Sequence, residues 1–202
     1  MSELSVGSLS GLAANSFVID VASGSTLDVT NATGTLPAAQ LPAGSIIAVK
    51  DAIFTGTQTA SVTAGNNVAV TDLSITHEVA DPSNKLIISA FIGAGGNDNQ
   101  RGGLGLAIHD GSGLINVGDT AGSRSSVSAG GWIVSTDSAT AVTMPSMSFV
   151  HTPGSGSKTY TVRAVNLMTG TQTLYINRTQ TDSDSAIFSR AVSSLVIQEV
   201  SV

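Results

Sequence analysis

From residue 45 onward, short runs of alternating apolar and polar residues follow one another, separated by glycine, asparagine, aspartate and serine. Residues 170–178, GTQTLYINR, put Leu174 and Ile176 on one face and Tyr175 and Asn177 on the other. A period of two bounded by turn residues marks an antiparallel strand with one wet face. The same pattern predicts strands over 45–54, 57–65, 68–80, 85–95, 104–112, 114–119, 127–136, 146–153, 157–166 and 189–202. Their regular spacing, with no useful run at the helical period of 3.6, predicts an all-β fold, an antiparallel β-sandwich. Asp110-Gly111 between LAIH and LINV predicts a hairpin, and Gly65-Asn66-Asn67 another turn. In the last strand Leu195, Ile197 and Val200 stand among polar neighbours. So apolar a strand is expected inside a sheet, because as a bare edge it would invite aggregation.

Residues 1–44 differ in character. They lack Lys and Arg and carry only short apolar pulses, LSVGSL, SFVIDVAS and STLDVTN, too brief for a core of their own. Such pulses suit a thin β-layer that is stable when several chains wind or stack together. The segment TLPAAQLPAGS (35–45) repeats Leu-Pro. Each proline removes a backbone donor and biases its predecessor toward extended geometry, so a stiff, extended connector is expected. The predicted organisation is an extended segment over 1–44 and a sandwich head over 45–202.

Composition adds a tendency to associate. Of 202 residues only 4% are aromatic and 11% charged, while mean hydropathy is positive at +0.27. Disordered chains are highly charged, so disorder does not fit. A weakly charged surface of small residues suits a chain that buries much of itself against its own copies. The net charge of −6, with Lys and Arg scattered singly, argues against a nucleic-acid partner. Without cysteine there is no disulfide, thiolate metal site or thiol nucleophile. The opening Met-Ser-Glu-Leu lacks the basic and apolar regions of a secretory signal, and no stretch approaches a membrane span. Synthesis and assembly in a cytoplasm are expected.

Candidate chemistry is sparse. His77, His109 and His151 fall on different strands or strand ends with no local ligand spacing, and read as individually satisfied histidines. Asp182 and Asp184 form a DxD without the glycine and downstream glutamate of a calcium loop; a solvated turn is expected, with cation binding left open. No GxSxG elbow and no carboxylate pair with an aromatic platform occurs. No catalytic residue, metal ligand or cofactor is therefore predicted, and the chain is not expected to be an enzyme. The loop GAGGNDNQRGG (93–103) lies between two strands, so no helix N-terminus is available there to hold a phosphate. Its Asn97, Asp98, Asn99, Gln100 and Arg101 offer dense hydrogen bonding suited to glycans or polar protein surfaces. In so weakly charged a chain, Arg178 and Arg190, taken as core-facing, are expected to pair with Asp182, Asp184 or Glu199 within or between subunits.

Several motifs occur in a suggestive order. They are Asp110-Gly111, Gly118-Asp119 with Arg124, SFVHTPGSGSKTYTVR (148–163), YINRTQTDSD (175–184) and SRAVSSLVIQEV (189–200). The series resembles the C-terminal domain of tailed-phage virion proteins, mostly tail-fibre or related structural proteins, over about residues 85–202. One departure is His151, where many relatives carry an acidic residue ahead of Pro153-Gly154. The LSVGSLSGLAANSFVID opening and the Leu-Pro connector are also similar to the leader of such proteins. The resemblance implies a homotrimer with a jelly-roll-like head of the C1q/TNF kind, located in the virion. On that reading, residues 1–44 bind other virion proteins and the head meets a host surface glycan or protein, as in a short tail fibre or spike. The alternative is a capsid decoration protein with no receptor role.

Overall fold

The computed structural model describes residues 41–95, 103–131 and 138–202. The chain divides into two units, Met1–Leu36 and Pro37–Val202, and all described residues belong to the second. They form β1 (Ile46–Phe54), β2 (Gln58–Thr63), β3 (Asn67–Glu78), β4 (Lys85–Phe91), β5 (Ala94–Gly95), β6 (Leu104–His109) and β7 (Leu114–Ile115). Then come β8 (Ala129–Gly131), β9 (Val142–Thr143), β10 (Ser146–His151), β11 (Ser157–Asn166), β12 (Thr171–Ile176) and β13 (Ser193–Val200). Ser138–Thr140 is a single 3₁₀ turn.

Among the described residues all pairings are antiparallel, in three sheets. Sheet I runs β1-β13-β4-β10, and sheet II runs β3-β11-β6-β7 with β8 also on β6. A smaller sheet III runs β2-β12-β5-β9. The sheets pack together as a β-sandwich, as the alternation predicts. Residues that alternate inward supply one continuous core: Leu86, Ile88, Leu195 and Ile197 from sheet I, Leu73, Ile75, Leu106, Ile108, Tyr160 and Val162 from sheet II, Leu174 and Ile176 from sheet III. Each such Leu or Ile contributes about 1.5–3 kcal/mol by leaving water.

The C-terminal strand lies inside sheet I, paired on both sides, which protects its apolar residues from edge association. Within it Glu199 follows Leu195 and Ile197 onto the inward face, and Val200 falls on the other. β12 ends at Ile176, and the next residue, Asn177, expected on the wet face, is fully buried with φ of 58°. Its amide donates to the Phe54 and Gly56 carbonyls while its Oδ1 accepts from Ser193 Oγ. This polar knot joins the end of β12 to the ends of β1 and β13.

Two local devices shape the open side of the sandwich. In β3, Asp72 takes φ of 59° and the register against β11 shifts, so Val70 and Leu73 both turn inward. The backbone groups freed by this bulge find the Gln58 side chain, which accepts from Thr71 N and donates to Ala69 O. At the edge, Lys50 of β1 reaches across to the Thr76 carbonyl of β3 at 2.8 Å. A lysine head there blunts two strand edges at once. The predicted hairpin forms with Asp110–Gly113 as its loop, Gly111 at φ of 93°, and Asp110 Oδ1 accepting from Ser112 N and Gly113 N.

Candidate interaction surface

The two large sheets present unlike faces outward. On sheet II the outward side chains of β3 and β11 form a ladder of hydroxyls: Ser74 bonds Thr161 at 2.9 Å and Thr76 bonds Thr159 at 2.8 Å. On sheet I the outward positions alternate with the core residues just described. The register brings Val49 opposite Gln198, Ile53 opposite Ser194, Val196 opposite Ser89, and Val150 opposite Ile87. Ile46, Val49, Ile53 and Val150 are 52%, 59%, 58% and 60% exposed, and they make up half of the large exposed apolar side chains among the described residues. Only Asp51 and Lys85 are charged on this face. The exposed apolar side chains of β1 and β10 flank the central strands, whose outward positions include Ser194, Gln198 and Ser89.

The face has relief. On its β1 side Val49 and Ile53 are exposed on either side of Asp51. Across β13, β4 and β10 the small side chains of Ser89, Ser146, Ser148 and Ser194 leave a shallow hollow of about 440 Å³, with Phe91 and Val196 also in its lining. Ser89 and Ser148 bond each other at 2.8 Å.

A second concentration of chemistry closes one end of the sandwich. The last inward row of sheet I reads Glu199, Leu86, His151, and the row facing it from sheet II contains His77 beside Lys158, with Asp110 just beyond β6. Glu199 Oε2 lies 2.9 Å from His77 Nε2, and its Oε1 accepts from Ala80 N at 2.8 Å and Asn84 Nδ2 at 2.6 Å. Lys158 Nζ lies 2.9 Å from Asp110 Oδ2. Burial opposes ionisation of Asp110, yet the Lys158 ammonium and the two loop N–H groups outweigh it and hold its pKa at about 2. His151 packs its ring edge-on to Tyr160, centroids 5.8 Å apart. Burial, then the nearby Lys158 charge, pushes the His151 pKa below its ordinary value. Burial, then Asp110, raises Tyr160 to about 12.

His77 Nδ1, His151 Nε2 and the Tyr160 hydroxyl are buried without a hydrogen-bond partner among the described residues. The expectation of three individually satisfied histidines is thus corrected for His77 and His151, which share one layer. His109 does find a local bond, accepting from Gly111 N. Among the described residues no group of three or more His, Cys, Asp or Glu is arranged to hold a metal ion.

The sequence-predicted site residues are dispersed. Asn97, Asp98, Asn99, Gln100 and Arg101 lie outside the described residues. Asp182 stands between two arginines, 2.7 Å from Arg190 and 3.5 Å from Arg178. Arg178 also donates to the Thr179 and Gln180 carbonyls, and its guanidinium sits 5.5 Å from the centre of the Tyr175 ring. Arg190 is not core-facing: its side chain is 59% exposed, because it precedes β13 and meets Arg178 only in an isolated bridge. Asp184 lines the shallow surface cleft beside Asp182. Glu199 is far from both arginines in role, since it belongs to the His77 layer.

The sequence reading did not anticipate the His77–Glu199 and Lys158–Asp110 pairs. Strand parity carried the signal: His77 follows Leu73 and Ile75 at spacings of two, and Glu199 follows Leu195 and Ile197 in the same way. No family model matches the chain, and no curated protein matches it significantly.

Proposed function

We propose that this chain is a structural protein of a tailed-phage virion, a short homotrimeric tail fibre or spike whose head is the β-sandwich. The observation that supports the self-association is the outer face of sheet I, where Ile46, Val49, Ile53 and Val150 are exposed among small polar residues and only Asp51 and Lys85 are charged. The virion assignment draws on the ordered motifs at 110–111, 148–163, 175–184 and 189–200. On this reading residues 1–44 bind other virion proteins, and the head's loops meet a host surface glycan or protein. No catalytic role is proposed.

The test is incorporation into particles. Full-length protein should scatter light with the mass of three chains and should be found in purified virions. Deletion of residues 1–44 should leave a soluble assembly that no longer joins them. Normal incorporation of the truncated protein would overturn the anchor assignment. A label that decorates the capsid rather than the tail would replace the fibre reading by one of head decoration.

A further inference from the structure

The last residue of β10 is a histidine whose ring nitrogen is buried with no acceptor to take up a second N–H. We infer that the His151 end of β10 is an acid-released latch: a proton taken up by the His151 ring drives this end of the strand, with the turn that follows, away from sheet II while the rest of the sandwich stays folded. His151 Nε2 has no hydrogen-bond partner among the described residues, and the ring stands edge-on to Tyr160. A neutral imidazole can leave one nitrogen as an unused acceptor, whereas the imidazolium presents an N–H on both. The titratable groups packed into this end are Lys158 and Tyr160 of β11, Asp110 beyond β6, His77 of β3 and Glu199 of β13. Both carboxylates are committed: Asp110 to Lys158, Ser112 N and Gly113 N, and Glu199 to His77, Ala80 N and Asn84. Burial and then the Lys158 ammonium act against a charged His151, and Asp110 offsets them only in part. His77 differs, because its Nε2 already faces the Glu199 carboxylate at 2.9 Å.

The position of His151 lets the response stay local. β10 is the outer strand of sheet I, bonded within it to β4 alone, and His151 opposite Leu86 is the last pair. Beyond it Lys85 of β4 holds Thr152 Oγ1 through an exposed bond of 2.8 Å, and Asn116 Nδ2 reaches the Val150 carbonyl at 3.4 Å. The turn then passes through Gly154 and Gly156, at φ of 72° and 89°, and Glu78 opposite Ser157 is exposed. Pro153 is buried and leaves with the strand end. Sub-global opening begins at ends of this kind, where few bonds hold the chain. In the opened form the ring is solvated and titrates near its ordinary value of about 6.5. The closed form holds it lower, so the open form binds more protons. Its population therefore grows by up to about tenfold for each pH unit below that value, until the closed ring itself titrates.

Hydrogen exchange of the full chain, read by mass spectrometry between about pH 7 and about pH 5 and corrected for the intrinsic exchange rate, tests the latch. Protection over residues 146–157 should fall by about tenfold, while β13 at the centre of sheet I keeps its protection. His151→Phe keeps a ring against Tyr160 and should remove the response. His151→Gln, a second side chain that does not titrate, should do the same and serves if the Phe variant fails to fold. His109→Gln changes a histidine on the outer face of sheet II and should leave the response intact. Unchanged protection over 146–157 would overturn the latch. So would a response that survives in the His151 variants, and its loss in His77→Gln would then assign the titration to the His77–Glu199 pair. A parallel fall in β13 would also overturn it, by showing that acid unfolds the sandwich as a whole.

Discussion

Glu199 offers the sharpest test of how the two large sheets are held together at their titratable end. Its side chain is 2% exposed and serves three donors, from His77, Ala80 and Asn84. His77 belongs to β3 of sheet II, so one carboxyl group spans the sandwich. Glu199→Ala leaves all three donors without their acceptor, at about 1–3 kcal/mol for each donor that stays buried and unpaired. Ala80 and Asn84 also line an open cleft of about 280 Å³, which lowers the cost of leaving their donors unpaired. The net expectation is a loss of about 3–5 kcal/mol, the range found when one partner of a buried pair is removed. Glu199→Gln keeps an oxygen for Ala80 and Asn84 and should lose only about 1–2 kcal/mol. Adding His77→Leu to Glu199→Ala should recover stability, because it removes an orphaned donor along with its lost acceptor. Equilibrium unfolding in urea measures these values, at one fixed protein concentration because association contributes to stability. A loss below about 1 kcal/mol for Glu199→Ala would refute the bridging role.

Three further outcomes are expected. Gly95→Ala should be strongly destabilising, since its Cβ would lie 2.0 Å from the Arg178 carbonyl oxygen; a Tm within a degree or two of wild type would show that β5 yields freely. Arg190→Ala should change unfolding free energy by less than about 1 kcal/mol, because the pair with Asp182 is exposed; a loss of several kcal/mol in a denaturant titration would contradict that. Acidification should reveal His151: its folded pKa lies below the ordinary 6.5, so the unfolded chain binds more protons in between and stability falls as pH drops from 6.5 toward the depressed value. His151→Phe should flatten that part of the pH profile in thermal melts while leaving the steeper loss below pH 3.8, where Asp110 titrates toward about 2; an unchanged slope near pH 6 would exclude His151 as its source.

The β-sandwich was legible because alternation is a local property. A strand with Leu at 195 and Ile at 197 has one dry face wherever it sits, and Asp110-Gly111 makes a turn from its own backbone freedom. The low charge was equally readable, and with it the expectation of association. Strand order was not, since β13 lies between β1 and β4 through contacts more than a hundred residues apart in sequence, which no local pattern encodes. The same holds for the chemistry. Asp182 and Arg190 are neighbours in sequence and still form only a surface pair, whereas His77 and Glu199, 122 positions apart, meet in the core. Sequence alone determined which residues could face inward on each strand. Only the tertiary structure decided which rows face each other, and therefore that the ionisable residues gather at one end while valines and isoleucines remain on one outer face. Burial and pairing energies depend on distances set by long-range strand order, and that order emerges from the packing of the whole core.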